Sequence, residues 1–449
     1  MYPLFISLVS VIINICIFMY ISKKYPHQYI MRFLLIYYIL QIGIALVFVI
    51  DDPNYVVWGT SETMKVVKIL PKLSFCCTII GLMIWSGLYF SNYNSNRKST
   101  SSLIERINGI SANEIIVLSR PFCIIFSLSI VFTLIPEIPY SLRVISLSFA
   151  FIPLFVGIYF NVLKSTQKFI WIAVILINVL VNMVQGSRGY AIIPVALWTI
   201  GYLIMQSQKS HFKIKVIVVA IVAVPVLAIF GKIQDFRDYF GRGIEVTPET
   251  IGLMIDFLSY AQGVDNDKSA LQGLSRFMNI GDLSILYATP SKVEYRGFDD
   301  MLEEFTQVYS LYGSEGSKQF DEIRSELGYG SGVLTRYGFH VTAESSVGLG
   351  YLGDSYSRFG ILGVMLYFFL ISWFVSFLEL KLMKKGGLPK SVKLVFLLFL
   401  MYTVLYTLYG NPYYVLLKKL LYNGCLVMIV LLIICKKRRR IQYENTIKY

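Results

Sequence analysis

The sequence predicts an all-helical membrane protein that crosses the bilayer many times, and two features of its composition support this fold class. Only 15% of the 449 residues are charged, against about 25% in a typical soluble domain. Hydrophobic residues make up 56% of the chain, and they are grouped in long runs. Helices satisfy all their backbone hydrogen bonds internally, so such runs can cross a bilayer as helices.

Each of these runs is long enough to span the hydrocarbon core, which needs about 17–25 apolar residues per helix. We predict eleven transmembrane helices, with positions set by the limits of the apolar runs. The runs fall at 2–22, 31–50, 72–92, 118–135, 143–163, 168–186, 189–206, 213–230, 357–380, 391–409 and 413–435. The first run has no basic segment before it and no small-residue cleavage site, so we expect it to be retained as a span.

The charges of the connecting loops predict the orientation in the membrane. Lys and Arg are concentrated in every second loop and in the C-terminal tail, which is typical of cytoplasmic segments. The long stretch 231–356 has ten Lys/Arg against nineteen Asp/Glu, although the whole chain carries +14. We therefore place the N-terminus and this loop outside the plasma membrane and the C-terminus inside. The predicted parts are an N-terminal bundle of eight spans (1–230), an extracytoplasmic loop domain (231–356), a C-terminal bundle of three spans (357–435) and a basic tail (436–449).

The composition also limits the chemistry. The basic balance comes from loops between apolar runs, so the sequence indicates no nucleic-acid partner. All six cysteines lie in or at the ends of apolar runs, and there are only three histidines, so we predict no metal and no cofactor. Apolar residues recur at helical spacing in 251–262 and 299–312, which predicts short amphipathic helices on the outer face of the membrane.

A first candidate site is the QGSRGY turn at 185–190, between two predicted spans. An arginine at the membrane boundary is costly unless it faces a cavity or a partner, and its fork of donors suits a phosphate or diphosphate. Gly186 and Gly189 permit a tight turn and the close approach of a ligand. The alternative is that Arg188 is an interfacial side chain that reaches out to water at the end of a span.

A second candidate is the run from Arg336 to Gly363, which joins the long loop to the next span. It is dense in polar residues, and Asp354 and Arg358 are spaced to pair on one helix face. A general base must lie within hydrogen-bonding reach of its proton, so Glu344, Asp354 and His340 remain alternatives for that role. The alternative interpretation is an ordinary interfacial boundary with local ion pairs.

A third candidate is the stretch 231–243, where Arg237 and Arg242 follow a span and alternate with aromatic residues. They could hold anionic or sugar groups, or pair locally with Asp235 and Asp238. No Walker loop, dinucleotide-binding glycine motif, HExxH or GxSxG appears in a suitable context, which argues against nucleotide-driven chemistry. Acidic residues within the spans are nearly absent, Glu379 near one end being the closest case. This argues against a proton-driven carrier.

Two short motifs carry a resemblance to a known family. The turn GSRG at 186–189 matches the type G-[S/T]-R-[G/A] between two mid-chain spans, and GDSYSRFGILGVMLYFF at 353–369 is similar to a loop-to-span junction. Together with the long extracytoplasmic loop, they resemble the bacterial O-antigen or capsule repeat-unit polymerases of the Wzy type. The related O-antigen ligases have a His-Asn pair near the equivalent junction. This chain has Gly353-Asp354 there, with His340 well upstream.

The resemblance implies a membrane glycosyltransferase with a helical fold of the C type. Such an enzyme joins polyprenyl-pyrophosphate-linked oligosaccharides outside the plasma membrane, with a chain-length-regulating co-polymerase as a further partner. It implies that Arg188, and secondarily Arg358, binds the pyrophosphate, and that Glu344 or Asp354 is the base. Arg336, Arg237, Arg242 and Tyr356 are the further candidate substrate contacts. The alternatives are an O-antigen ligase, and a flippase or other transporter of lipid-linked oligosaccharides.

Overall fold

The computed structural model is helical through the parts of the chain that it describes: 2–54, 65–93, 103–135, 148–184, 188–206, 247–260, 283, 285–286, 350–384, 389–408, 416 and 419–433. Seven of its helices are long and apolar enough to cross a membrane. They are α1 (Tyr2–Lys24), α2 (Tyr29–Asp51), α3 (Val66–Tyr93), α5 (Ala112–Leu134), α7 (Ser165–Val184), α10 (Tyr351–Met383) and α11 (Lys390–Leu408). The protein is therefore a multi-pass helical membrane protein, as the apolar runs predict.

Five shorter or less apolar helices complete the described fold. They are α4 (Leu103–Asn108), α6 (Ile152–Tyr159, continued by a 3-10 turn Phe160–Val162), α8 (Arg188–Gln206), α9 (Pro248–Tyr260) and α12 (Lys419–Ile433, opening with a π-helical turn). Apolar stretches of α6, α8 and α12 fall within three predicted spans. The predicted span 213–230 and the predicted helix 299–312 lie outside the described residues.

The stretch predicted as one span at 143–163 differs from the prediction. Residues 149–151 form a turn, and α6 begins only at Ile152. Pro153 lies in the first turn of α6, where its missing N–H leaves no hydrogen bond unmade and its fixed φ favours helix initiation. Hydropathy detected the apolar run but could not detect this interruption, because the turn residues are as apolar as the helix.

The chain forms two compact units, each drawn from separate parts of the sequence. The first comprises Met1–Leu103, Leu274–Gly386 and Leu400–Leu421, and the second comprises Ile104–Gly273, Gly387–Phe399 and Tyr422–Tyr449. These units follow contacts between helices, whereas the predicted domains follow the membrane and the long loop. The predicted boundaries at 230, 356 and 435 therefore stay a prediction.

In the first unit α3 packs against α1, α2 and α10. Polar and small side chains line its contact with α1, where Ser7, Ser10 and Asn14 face Ser74, Thr78 and Gly81. The Ser10 hydroxyl lies 2.7 Å from both the Ser74 carbonyl oxygen and the Thr78 hydroxyl. Such short polar side chains let two helices approach closely within a bilayer, where apolar contact alone gives little preference over lipid.

Contacts between α3 and α10 show that these two helices run in the same direction. Near their starts, the Lys72 ammonium lies 4.6 Å from the centre of the Tyr356 ring. Near their ends, the Ser91 and Ser376 hydroxyls are 2.5 Å apart. Helices α1 and α3 are also parallel, since Ser10 contacts Ser74 and Lys24 lies over the Tyr89 ring.

Helix α2 runs against α10. Its first backbone N–H, at Tyr29, donates to Glu379 at 2.8 Å, while Tyr38 farther along packs edge-on against Phe368. The charge alternation of the loops predicts these directions for α1, α2, α3 and α10, and the contacts agree with it.

In the second unit α6 and α8 cross at two glycines. A Cβ atom on Gly157 would lie 2.0 Å from the Trp198 carbonyl oxygen, and one on Gly201 would lie 2.3 Å from the Leu154 carbonyl oxygen. Because any side chain would overlap the opposite backbone, glycine at both positions sets the separation of the two helices.

Helix α9 confirms the amphipathic helix predicted near 251–262. The Thr247 hydroxyl accepts the Thr250 backbone N–H at 3.2 Å and so caps the start of the helix. Glu249 lies in the first turn, where hydrogen bonds from its own backbone N–H and from the Thr247 hydroxyl lower the pKa of its carboxyl group. A carboxylate also suits the positive end of the helix dipole.

Candidate functional site

The start of α10 is a short, fully buried helical segment that ends at a kink in the helix. Residues 351–358 are all buried. Phe359 leaves the helical region, and Gly360 has φ 60° and ψ −141°, a conformation that is open to glycine and strained for other residues. A Cβ atom on Gly363 would lie 2.1 Å from the Ser355 carbonyl oxygen, so the long part of α10 passes directly against the short helix. Both glycines of the F-G-x-x-G sequence thus have a structural role.

Asp354 and Arg358 form the ion pair that their spacing predicts. The Arg358 Nε atom donates to the Asp354 Oδ1 atom at 3.1 Å, and the two side chains are 0% and 1% exposed. Removing two charges from water is costly, and the cost is offset only by good geometry and additional hydrogen bonds. This pair is therefore a feature that the surrounding helices must hold in place.

Tyr356 lies between these two residues in sequence but on another side of the helix. Successive residues of an α-helix are about 100° apart, so Tyr356 is about 200° around from both Asp354 and Arg358. Its ring lies under the Lys72 ammonium of α3 at 4.6 Å. The structure thus confirms the Asp354–Arg358 ion pair, but it places Tyr356 against α3 and away from that pair.

Lys72 is not among the site residues that the sequence predicts. It is half-buried, two turns into α3, and an ionisable residue within an apolar span is itself a signal of function. That signal was present in the apolar run 72–92, which begins with this lysine. What the sequence could not reveal is the contact with Tyr356, since the two residues are 284 positions apart.

Tyr351 fixes the beginning of the short helix to α11. Its hydroxyl contacts the Thr407 hydroxyl, and it donates to the Val404 carbonyl oxygen at 3.4 Å. The segment 351–358 is therefore held from two sides, by α3 through Tyr356 and by α11 through Tyr351. Both contacts lie within the first unit.

The other predicted site residues are described in part or not at all. Arg188 is the first residue of α8, in the second unit, and only its backbone is described. The predictions for Glu344, His340, Arg336, Arg237 and Arg242 concern residues outside the described parts of the chain. Within those parts, no three His, Cys, Asp or Glu side chains group closely enough to hold a metal ion.

The described site can supply a carboxylate, a guanidinium and an ammonium at one end of the first unit. Arg358 is wholly buried, so a ligand would reach its guanidinium only if the segment 351–358 or its neighbours move. The break at Gly360 lies at the junction where such a movement would be centred. Lys72 is half-buried and needs no such rearrangement.

No protein-family model, no curated protein and no solved structure matches this chain. The class that the fold defines is a multi-pass helical membrane protein.

Proposed function

We propose that this protein polymerises polyprenyl-pyrophosphate-linked oligosaccharide repeat units into O-antigen or capsular polysaccharide at the outer side of the bacterial plasma membrane. The observation that carries the proposal is the buried Asp354–Arg358 pair at the entry to α10, in the junction motif that resembles the polymerase family. A guanidinium is suited to a diphosphate, and a carboxylate is suited to accept a hydroxyl proton.

The proposed reaction is a glycosyl transfer. A hydroxyl oxygen on the terminal sugar of the acceptor attacks the anomeric carbon of the growing chain and forms the new glycosidic bond. The bond from that carbon to the pyrophosphate oxygen breaks, and polyprenyl pyrophosphate leaves with the electron pair. The hydroxyl proton passes to a carboxylate, either Glu344 or Asp354. Arg358 stabilises the negative charge that develops on the leaving group, and Arg188 is the other arginine for which the resemblance implies this role.

The proposal places the N-terminus and the long loop outside and the C-terminus inside. The parallel run of α1, α3 and α10 places the starts of all three helices on one side of the membrane, so the side of α1 decides the side of the other two. Single cysteines in a cysteine-free background test the choice. A cysteine at Asn54, in the exposed turn after α2, should react with a membrane-impermeant maleimide in intact cells. One at Lys23, at the exposed end of α1, should react only after the cells are opened, and the reverse pattern would invert the topology.

Deletion of the gene, followed by complementation, tests the function. Loss of a polymerase leaves surface molecules that carry a single repeat unit, loss of a ligase leaves polymer on its lipid carrier, and loss of a flippase leaves no repeat units outside. We expect the single-unit pattern, and either of the other two would reject the proposal in favour of that alternative.

Complementation with Arg188→Ala tests the pyrophosphate role of that residue. We expect the single-unit pattern at normal protein levels, because the leaving group would lose a stabilising cation. Arg120→Ala is the matched control, since this exposed arginine lies on α5 outside the candidate site. A normal ladder of polymer with Arg188→Ala would remove Arg188 from the mechanism.

A further inference from the structure

Exposed aromatic side chains lie side by side where α1 and α3 end. Across the two helices, the centres of the Tyr20 and Trp85 rings are 6.4 Å apart. Along α3, Tyr89 lies 6.5 Å from Trp85, and Tyr93 lies 6.0 Å from Tyr89. We call these four residues, each at least 37% exposed, the aromatic surface. Tyr and Trp concentrate at the boundary between lipid tails and water, so the aromatic surface marks the depth of the lipid headgroups.

Lys24 fixes the aromatic surface by joining its two helices. The Lys24 ammonium on α1 donates to the Tyr20 hydroxyl at 2.6 Å and lies 5.9 Å from the centre of the Tyr89 ring on α3. The attraction between an ammonium and a ring face is modest, but here one ammonium orders a ring on each helix. Lys24 is therefore a structural part of the aromatic surface, and the charge offered to a ligand must come from other residues.

Two exposed lysines supply that charge. Lys23 lies in the last turn of α1, three residues after Tyr20, so these two side chains are neighbours on the helix surface. Lys381 lies in the last turn of α10, 4.6 Å from the centre of the Phe377 ring. Because α1, α3 and α10 are parallel, both lysines lie on the same side of the membrane as the aromatic surface.

The acidic residues that the structure describes in the first unit do not offset these cations. Among them, only Glu379 lies at this end of the helices. It is 0% exposed, and its carboxylate accepts the Tyr29 N–H at 2.8 Å. The segments 94–102 and 385–386, which continue the chain from α3 and α10, contain no Asp or Glu and add Arg97, Lys98 and Lys385. The ends of α1, α3 and α10 therefore present a basic surface in the part that the structure describes.

We propose that the aromatic surface and Lys23 bind an anionic phospholipid, with the headgroup phosphate at Lys23 and an acyl chain along Tyr20 and Trp85. A zwitterionic lipid would make the same apolar contacts, so the basic residues decide the preference, as they do in other basic segments beside a membrane. The charge alternation of the loops predicts that this is the cytoplasmic leaflet. The inference goes beyond the proposed function and does not depend on it.

The test uses the purified full-length protein in bilayers that contain a rising fraction of lipid with brominated acyl chains. Bromine quenches the fluorescence of a tryptophan that it contacts, and the signal of Trp85 is the difference between the unmodified protein and Trp85→Phe. Brominated phosphatidylglycerol should quench Trp85 at a fraction about threefold lower than brominated phosphatidylcholine does. Raising the ionic strength from about 0.05 M to about 0.5 M should reduce this preference, because salt screens exposed charges.

Variants at single lysines locate the charge. Lys23→Gln should lower the preference for phosphatidylglycerol about twofold or more, and Lys23→Arg should keep it because the charge remains. Lys68→Gln is the matched control, since Lys68 is an exposed lysine near the opposite end of α3, and it should keep the full preference. Equal quenching by the two lipids in the unmodified protein would overturn the inference. So would an unchanged preference in Lys23→Gln, or a loss in Lys68→Gln as large as that in Lys23→Gln.

Discussion

Substitutions in the buried Asp354–Arg358 pair should affect the stability of the protein and its function in ways that can be measured separately. Asp354→Asn removes the carboxylate charge and leaves the guanidinium at 0% exposure beside a neutral amide. Arg358→Met leaves the carboxylate in the same position. The double variant Asp354→Leu with Arg358→Met removes both charges and keeps a side chain of substantial size at each position.

The geometry sets the expected magnitudes. Each single change removes one member of a buried ion pair, which costs about 3–5 kcal/mol of unfolding free energy. The double variant loses the mutual attraction together with the cost of burying two ions, so we expect it to be within about 2 kcal/mol of the unmodified protein. Ser357→Ala is the control. It removes a hydroxyl hydrogen bond to the Asp354 carbonyl oxygen at 2.8 Å, worth about 1 kcal/mol, and leaves both charges in place.

The single variants, the double variant and the control are compared by their unfolding free energies, measured by denaturant titration in mixed micelles. Equal losses of stability in the single variants and the double variant would show that the two charges are not coupled, and would contradict these magnitudes. Polymer ladders from cells that carry the double variant test function separately. A stable double variant that yields only single repeat units supports a chemical role for the pair, and full-length polymer would leave it a purely structural one.

Three further substitutions test the helix contacts. Gly81→Ala would bring a Cβ atom to 2.3 Å from the Asn14 Oδ1 atom and should cost about 1–3 kcal/mol of unfolding free energy in the same titration. Adding Asn14→Ala should restore part of that stability. Gly43→Ala is the control and should be neutral, because no atom lies within 4 Å of the added Cβ. Gly360→Ala should cost about 1–3 kcal/mol because of its backbone conformation, and stability equal to the unmodified protein would argue against the break in α10. Glu379→Ala should cost about 1–3 kcal/mol by leaving an N–H at the start of α2 without its acceptor, whereas Glu379→Gln should cost less; equal losses would contradict this cap.

The membrane class and most span positions could be predicted from the sequence because both depend on local composition. A run of about 20 apolar residues must bury itself in lipid or protein whatever its neighbours are. The Asp354–Arg358 pair was predictable for a similar reason, since residues four apart on one helix are adjacent without any tertiary contact. The amphipathic helix at Pro248–Tyr260 followed from its apolar periodicity.

Features that depend on distant contacts were not predictable. The helix break at Gly360 lies inside an apolar run, and a glycine there is compatible with an unbroken span. The approach of Gly363 to the Ser355 carbonyl oxygen exists only once that break has formed. Lys72 gained its place in the candidate site through Tyr356, on a helix that follows much later in the chain.

The helix directions also limit how the chain can cross the membrane between α3 and α10. Because these helices are parallel, the chain leaves α3 at one face and enters α10 from the other, so the stretch between Tyr93 and Tyr351 must cross an odd number of times. Helices α5 and α7 are also parallel, since Gln167 donates to Ser119 and Trp171 packs on Phe126.

The chain between α5 and α7 must therefore return once, and α6 lies in that stretch. The five spans predicted between α3 and α10, at 118–135, 143–163, 168–186, 189–206 and 213–230, are an odd number, as this parity requires. The span at 213–230 lies outside the described residues and stays a prediction.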